Sequence, residues 1–308
     1  MKSLKLIRFI SASVDYFVLF LSLIMLLLGL YAFWDSHQVY EAAQSDEYSQ
    51  YKPLSEESYS FAELKRMNRD VIGWITVYGT GIDYPLLQGV DNGTYINTTV
   101  KKRFSTAGSI FLDYRNRDDF SDFNSIIYGH HMERSLMFGD IDKFVSGRFF
   151  ETHKYGVLFA DRVKPGEKKR KGIDFFAILK TRGNDSMIFT PAIEGRRERV
   201  ELLDYIYDNA LRSRPMSIKP EDHVVLLDTC TFTVTNGRYI LCGKLTDKVH
   251  KNPFPKKDET LYSQFIGSIK NIPVYIWILL IVFILGIIYW ICERNRKNRR
   301  YEQQQSEK

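Results

Sequence analysis

The chain has 308 residues, 44% of them hydrophobic and 14% aromatic, which is material for a sizeable core in one or two domains. Its formal charge of +6 is unevenly spread: residues 1–34 carry +2, residues 272–308 carry +3, and the stretch between them only +1. A near-neutral middle excludes the concentrated basic face that nucleic-acid binding needs, and three cysteines are too few for a disulfide scaffold.

Residues 17–34, FVLFLSLIMLLLGLYAFW, carry no charge and end on Trp34. That run just reaches the roughly 20 apolar residues a helix needs to cross a bilayer. A buried core helix would normally show a polar face, which is missing. A cleaved signal peptide competes for the same segment, but YAFWDSHQ offers no small-residue cleavage site. The segment therefore reads as an uncleaved anchor, preceded by Lys2, Lys5 and Arg8. A second uncharged run, 272–292, ends in Tyr289, Trp290 and Cys292 and is followed by Arg294, Arg296, Lys297, Arg299 and Arg300. Lys/Arg-rich flanks stay in the cytoplasm. Two crossings then put both termini inside, with residues 35–271 on the outer face of the membrane and 293–308 as a basic tail.

Residues 35–54 are polar and poor in aliphatics, and predict a stalk. Ser60 and Glu63 have capping-box spacing ahead of a short helix over 61–70. Eight strands follow from short β-branched and aromatic runs broken by Gly, Asn and Asp: 71–79, 82–88, 107–114, 124–130, 155–163, 172–180, 223–230 and 238–245. Such a series predicts a mainly β barrel or sandwich. One helix interrupts it over 196–214, where Leu202, Leu203, Ile206, Tyr207, Ala210 and Leu211 form a stripe for packing on the sheet. The run VKPGEKKRKG over 163–172 reads as a solvated basic loop, and residues 251–271 as a linker to the second membrane segment.

Three features carry chemistry. Cys230 closes the apolar run VVLLDTC, where a strand would release its last residue at the sheet edge. A thiol becomes a useful nucleophile when a cation or imidazole favours its thiolate; the alternatives are a structural thiol or a disulfide with Cys242. In YGHHM, His130 and His131 follow Gly129 at a strand-to-loop junction, and imidazole is suited to proton transfer near neutral pH. A zinc site is excluded by the absence of HExxH or CxxC spacing and by the scatter of His37, His153, His223 and His250. Arg238 opens RYILCGKL eight residues after Cys230, and a guanidinium there could hold a substrate carbonyl or an oxyanion.

Taken together, DTC, a short loop and RYILCGKL, preceded by YGHHM, resemble the sortases, most closely their class B, to which IDYPLLQGVDNGTYIN and AGSIFLDYRN are also similar. The resemblance covers about residues 55–247. It implies a closed eight-stranded barrel with added helices, a catalytic domain over 55–250, Cys230 as nucleophile, His130 as catalytic histidine and Arg238 as essential arginine. Asn92, His131, Asp228 and Thr229 are further candidates for substrate contact. Asp228 departs from the family, which usually has a small hydroxyl residue two positions before the cysteine.

One local signal conflicts with this reading. Asn236-Gly237 is a strong two-residue hairpin sequence, and an ideal hairpin there would separate Arg238 from Cys230 by roughly 26 Å. The family reading needs an open loop over 231–237, leaving Cys230 beside Arg238 on adjacent strands. The two registers also differ in redox chemistry. The hairpin sets Cys230 nearly opposite Cys242, whereas the open loop puts Cys242 roughly 13 Å beyond Arg238, too far for a bridge.

The activity implied is acyl transfer through a Cys230 thioester, from a C-terminal sorting motif of an exported protein to an amine, either a pilin lysine or a peptidoglycan precursor. No metal or organic cofactor is implied; the lipid bilayer is a partner and nucleic acid is not. The competing readings are a membrane-bound hydrolytic cysteine protease and a non-catalytic tethered binding barrel.

Overall fold

A computed structural model describes residues 2–54, 58–231, 237–254 and 281–296. The chain divides into two units, residues 1–38 with 256–308, and residues 39–255. In the first, helix α1 (Lys2–Ala42) is long and apolar enough to cross a membrane, with a mean hydropathy of 2.4 over its most apolar stretch and none of that stretch buried. It is the one helix among the described residues of which this holds. Of the second apolar run, residues 272–280 lie outside the described residues, and 281–296 are helical.

The second unit is a barrel. Its strands are β1 (Val71–Val77), β2 (Asp83–Leu87), β3 (Ile110–Leu112), β4 (Asn124–Tyr128), β5 (Tyr155–Ala160), β6 (Arg170–Arg182), β7 (Ala210–Ser213), β8 (Val224–Thr231) and β9 (Gly237–Thr246). Pairing runs β5-β1-β2-β3-β4-β8-β9-β6, and β6 pairs back onto β5, so eight strands close and leave no free edge among them. Each of the eight falls on a segment expected from the sequence. The pairs β2–β3 and β4–β8 are parallel, and the other pairs are antiparallel.

Side-chain alternation explains the layers. Inward residues such as Ile75, Leu86, Ile110, Ile127, Leu158, Val225, Leu227 and Leu241 fill the barrel. A short helix, α3 (Gly147–Thr152), precedes β5, and the outer face of β4, β8 and β9 packs Ile126, Val224, Leu226, Ile240 and Cys242 under Leu202, Leu203 and Ile206 of helix α4 (Arg196–Asp208). On the far side, Val71, Trp74, Leu87 and Phe159 are covered by Phe61 and Leu64 of helix α2 (Tyr59–Met67) and by Tyr48. Because β8 is covered on both faces, its run VVLL is continuously apolar.

Three sequence expectations are corrected. The polar stretch 35–54 is more than a stalk: α1 continues to Ala42, a 3-10 helix covers Ser45–Tyr51, and both Ala43 and Tyr48 are buried, with the Tyr84 hydroxyl donating to the Ala43 carbonyl. The cap of α2 is Ser58, whose hydroxyl accepts from the Phe61 N–H, two residues ahead of the expected Ser60. Helix α4 stops at Asp208, and Ala210 and Leu211 belong to β7, paired with β6 rather than continuing the helical stripe. Over so few residues helix and strand spacing look alike, and the outer edge of β6 supplied the partner.

Candidate active site

The parallel strands β4 and β8 end side by side, and the antiparallel β9 begins next to them. Tyr128 lies opposite Asp228, and Cys230 lies opposite Arg238. The pairing Thr231↔Gly237 closes the ladder, so the hairpin register that Asn236-Gly237 favours locally is not adopted; residues 232–236 lie outside the described residues. Cys242 faces Leu226 instead, as a free and fully buried thiol whose burial pushes its pKa well above the ordinary value. The Cys230–Cys242 disulfide is thereby ruled out.

A groove of about 460 Å³ opens over these strand ends, lined in part by Asn92, Ile96, Tyr128, His130, Asp228 and Arg238. His130 leaves β4 through Gly129. A Cβ on Gly129 would lie 2.5 Å from Ile110 Cδ1 and 2.7 Å from the Phe138 ring, so only glycine permits this close approach. The Gly129 N–H donates to the Asp228 carbonyl (3.1 Å), carrying the β4–β8 ladder to the edge of the groove. His130 Nε2 is 2.8 Å from the Ile96 carbonyl, and since a carbonyl only accepts, that nitrogen carries a proton. The Phe138 N–H closes the following turn on the His130 carbonyl (2.9 Å).

At the deep side, the Asp228 carboxylate is 1% exposed and accepts from Arg238 Nη1 at 3.3 Å. Burial pushes its pKa up to about 7, although the Arg238 charge pulls the other way. Arg238 is half-buried, and its Nε finds no hydrogen-bond partner among the described residues; neither does Asp228 Oδ1. A guanidinium anchored by one nitrogen on a buried carboxylate, with 29% of its side chain exposed and lining the groove, is suited to receive a carbonyl oxygen.

The opposite wall is built on Asp113, which the sequence reading did not single out. It is fully buried and accepts from Arg115 Nε (2.9 Å) and Nη2 (2.7 Å), from Asn92 Nδ2 (2.9 Å) and from the Tyr128 hydroxyl (2.9 Å). Burial acts to raise its pKa, but these hydrogen bonds outweigh that and hold it below the usual carboxylate value. The Tyr128 hydroxyl is pushed up by burial and by the Asp113 charge. Arg115, two residues after Asp113, was the one available signal, since that spacing lets a guanidinium fold back on the carboxylate.

The expected substrate contacts divide. Asn92 and Asp228 line the groove. His131 turns to Asp142, with Nε2 3.1 Å from Oδ2, and Thr229 is fully buried; neither is part of the lining. Among the described residues no three His, Cys, Asp or Glu side chains converge as metal ligands would.

No protein-family model matches the chain. Against curated proteins it is 31% identical over 188 residues to sortase B of Listeria monocytogenes, a span covering 60% of this chain and 74% of that protein. Among solved structures, it is 42% identical to sortase B from the type II pilus of Streptococcus pneumoniae, with a TM-score of 0.52 over 61% of this chain and 99% of that one. It is 37% identical to a Streptococcus pyogenes class B sortase involved in pilus biogenesis, with a TM-score of 0.54 over 61% of this chain and 98% of that one.

Proposed function

Because the chain belongs to the sortase B family of cysteine transpeptidases, we propose that it cleaves a C-terminal sorting motif of exported proteins through a thioester on Cys230 and passes the acyl group to an amine. The Cys230 thiolate attacks a backbone carbonyl of the motif. Arg238, with backbone N–H groups nearby, holds the resulting oxyanion, a contribution of about 10²–10³ in rate for one donor. The tetrahedral adduct collapses with loss of the amine, which takes its proton from His130. An incoming amine then attacks the thioester, returns a proton to His130 and regenerates the thiolate. Asn92, in the lining of the groove, contacts the bound motif. The observation that carries this reading is the register pairing Cys230 with Arg238 beside a groove that also holds His130.

The acceptor we favour is the lysine of a pilin, giving a covalent polymer, over a peptidoglycan precursor. A membrane segment at each end of the catalytic domain supports it, as does the likeness to two pilus-associated sortases. In this reading both termini are cytoplasmic and residues 35–271 lie outside, tethered near substrates still held at the bilayer.

The test uses the full chain in detergent micelles with a library of peptides from exported-protein C-termini, offered together with triglycine and with a lysine-containing pilin peptide. Mass spectrometry is expected to show an acyl adduct on Cys230 and an amide product to lysine, both absent from Cys230→Ala. Adduct followed only by hydrolysis would make the protein a protease. Preference for triglycine would move the acceptor to the wall precursor.

A further inference from the structure

Asp228 lies at the deep side of the groove, two positions ahead of Cys230 on β8, with Arg238 as the one hydrogen-bond partner of its carboxylate among the described residues. A carboxylate is an expensive group to bury, and with one long hydrogen bond it is poorly compensated for stability. Its geometry suits another purpose. By engaging Nη1, it fixes a guanidinium whose four-bond stem would otherwise sample many rotamers, while 29% of the Arg238 side chain stays exposed in the lining of the groove. A charged donor held in place before substrate arrives is worth more to an oxyanion than one that must be ordered on binding.

We infer that Asp228 is a positioning residue for the transfer reaction, whose carboxylate holds the Arg238 guanidinium in the orientation that receives the substrate's carbonyl oxygen. This rests on the role proposed above for Arg238. The surroundings of Asp228 define how the device responds to pH. Arg238 faces it from β9; Tyr128 faces it from β4, with Asp113 and Arg115 beyond the Tyr128 hydroxyl and His130 at the end of β4. From the segment after β6, the lining residues Gly183 and Phe189 bring no titratable group. Burial holds the Asp228 carboxyl near 7, so below that pH it takes up a proton and its charge-assisted hold on Arg238 is lost. The turnover number should therefore rise with pH through this range on account of Asp228.

The experiment measures kcat and KM for the best library peptide with the full chain in micelles, at a series of pH values and with thermal melts of every variant. The variants are Asp228→Ala, Asp228→Asn, Arg238→Ala and the double Asp228→Ala/Arg238→Ala. Asp228→Ala is expected to lower kcat by about 10- to 100-fold with little change in KM, the loss typical of a misplaced reacting group. Asp228→Asn, which keeps an acceptor oxygen, should retain most of kcat at neutral pH while losing the inflection near 7. In the double variant the Asp228 change should add less than about threefold to the Arg238 loss, because the two act as one unit. Full kcat in Asp228→Ala with a crippled Arg238→Ala overturns the positioning role and leaves that of Arg238 standing. An active Arg238→Ala overturns both. Losses that multiply in the double variant would show Asp228 acting independently of Arg238 and also overturn it. Should the alanine variants melt too low to assay, an unchanged pH profile in Asp228→Asn is decisive against the proposal.

Discussion

Two carboxylates closed off from solvent stand at the walls of the groove, one behind Asn92 and Tyr128 and one beside Arg238, and they behave in opposite ways. Asp113, on the β3 side, is surrounded by donors: two from Arg115, one each from Asn92 and Tyr128, and the Arg115 N–H at 3.0 Å from Oδ1. Its charge is stabilised and its pKa is lowered. Asp228, on the β8 side, has one bond of 3.3 Å, and its pKa is pushed up to about 7. One wall of the groove is thus finished as a network of many donors on one carboxylate, whereas the other rests on a single carboxylate–guanidinium contact beside the nucleophile's strand position. Asp228 lies deeper, so burial weighs more heavily on it, and it has fewer donors to offset that cost; depth and donor number together set the two carboxylates apart.

Cys230→Ala gives the sharpest test of that division. It is expected to lower acyl transfer by at least about 10³-fold while leaving the melting temperature close to that of the parent, because it removes a single sulfur atom, the nucleophile. A large drop in melting temperature would mean that the reactive wall is also structural. Asp113→Ala should do the converse. Loss of the shared acceptor strands the Tyr128 hydroxyl and the Asn92 amide, and urea unfolding should report a cost of about 2–3 kcal/mol, with the Arg115 contribution discounted for that side chain's exposure.

Asp228→Asn should move stability the other way. The folded-state pKa of about 7 lies above the ordinary aspartate value, so the native protein keeps a proton that the unfolded chain has already released. Stability from this group is full at acid pH and declines as pH rises through the interval up to 7. The asparagine variant should therefore gain about 1–2 kcal/mol over the parent at pH 8, and the gain should vanish toward pH 4, in melts recorded across that range. A variant less stable than the parent at pH 8 would mean that the Arg238 pair is strongly stabilising and the contrast between the walls false. Tyr128→Phe is the smallest expected effect, about 1 kcal/mol for one hydrogen bond among several on Asp113, measurable by the same unfolding.

The eight barrel strands were legible because each is a short apolar run whose residues alternate between the interior and a covered outer face. β7 was not, since Ala210 and Leu211 fit a helical stripe as well as a strand, and the part of β6 that runs on past its pairing with β5 made the choice. In the site, Cys230, Arg238 and the YGHHM histidines announce themselves by residue type and spacing, and His130, Arg238, Asn92 and Asp228 do line one groove. His131 and Thr229 could not be separated from these by sequence, because neighbouring positions in a motif turn different ways: one to Asp142, the other into the buried ladder.

The local chain thus specified elements and reactive groups through interactions of short range: alternation, apolar runs, and the chemistry of thiol, imidazole and guanidinium. It misdirected the connection between β8 and β9, where Asn236-Gly237 favours a tight turn by about the energy of a turn preference. The ladder that pairs β9 with both β8 and β6 involves many more hydrogen bonds and the burial of Leu241 and Cys242, and it outweighs that preference. Register across three strands is a long-range property, and so is the network on Asp113, assembled from residues 92, 113, 115 and 128. Both depend on barrel closure, which no segment senses until the others are in place.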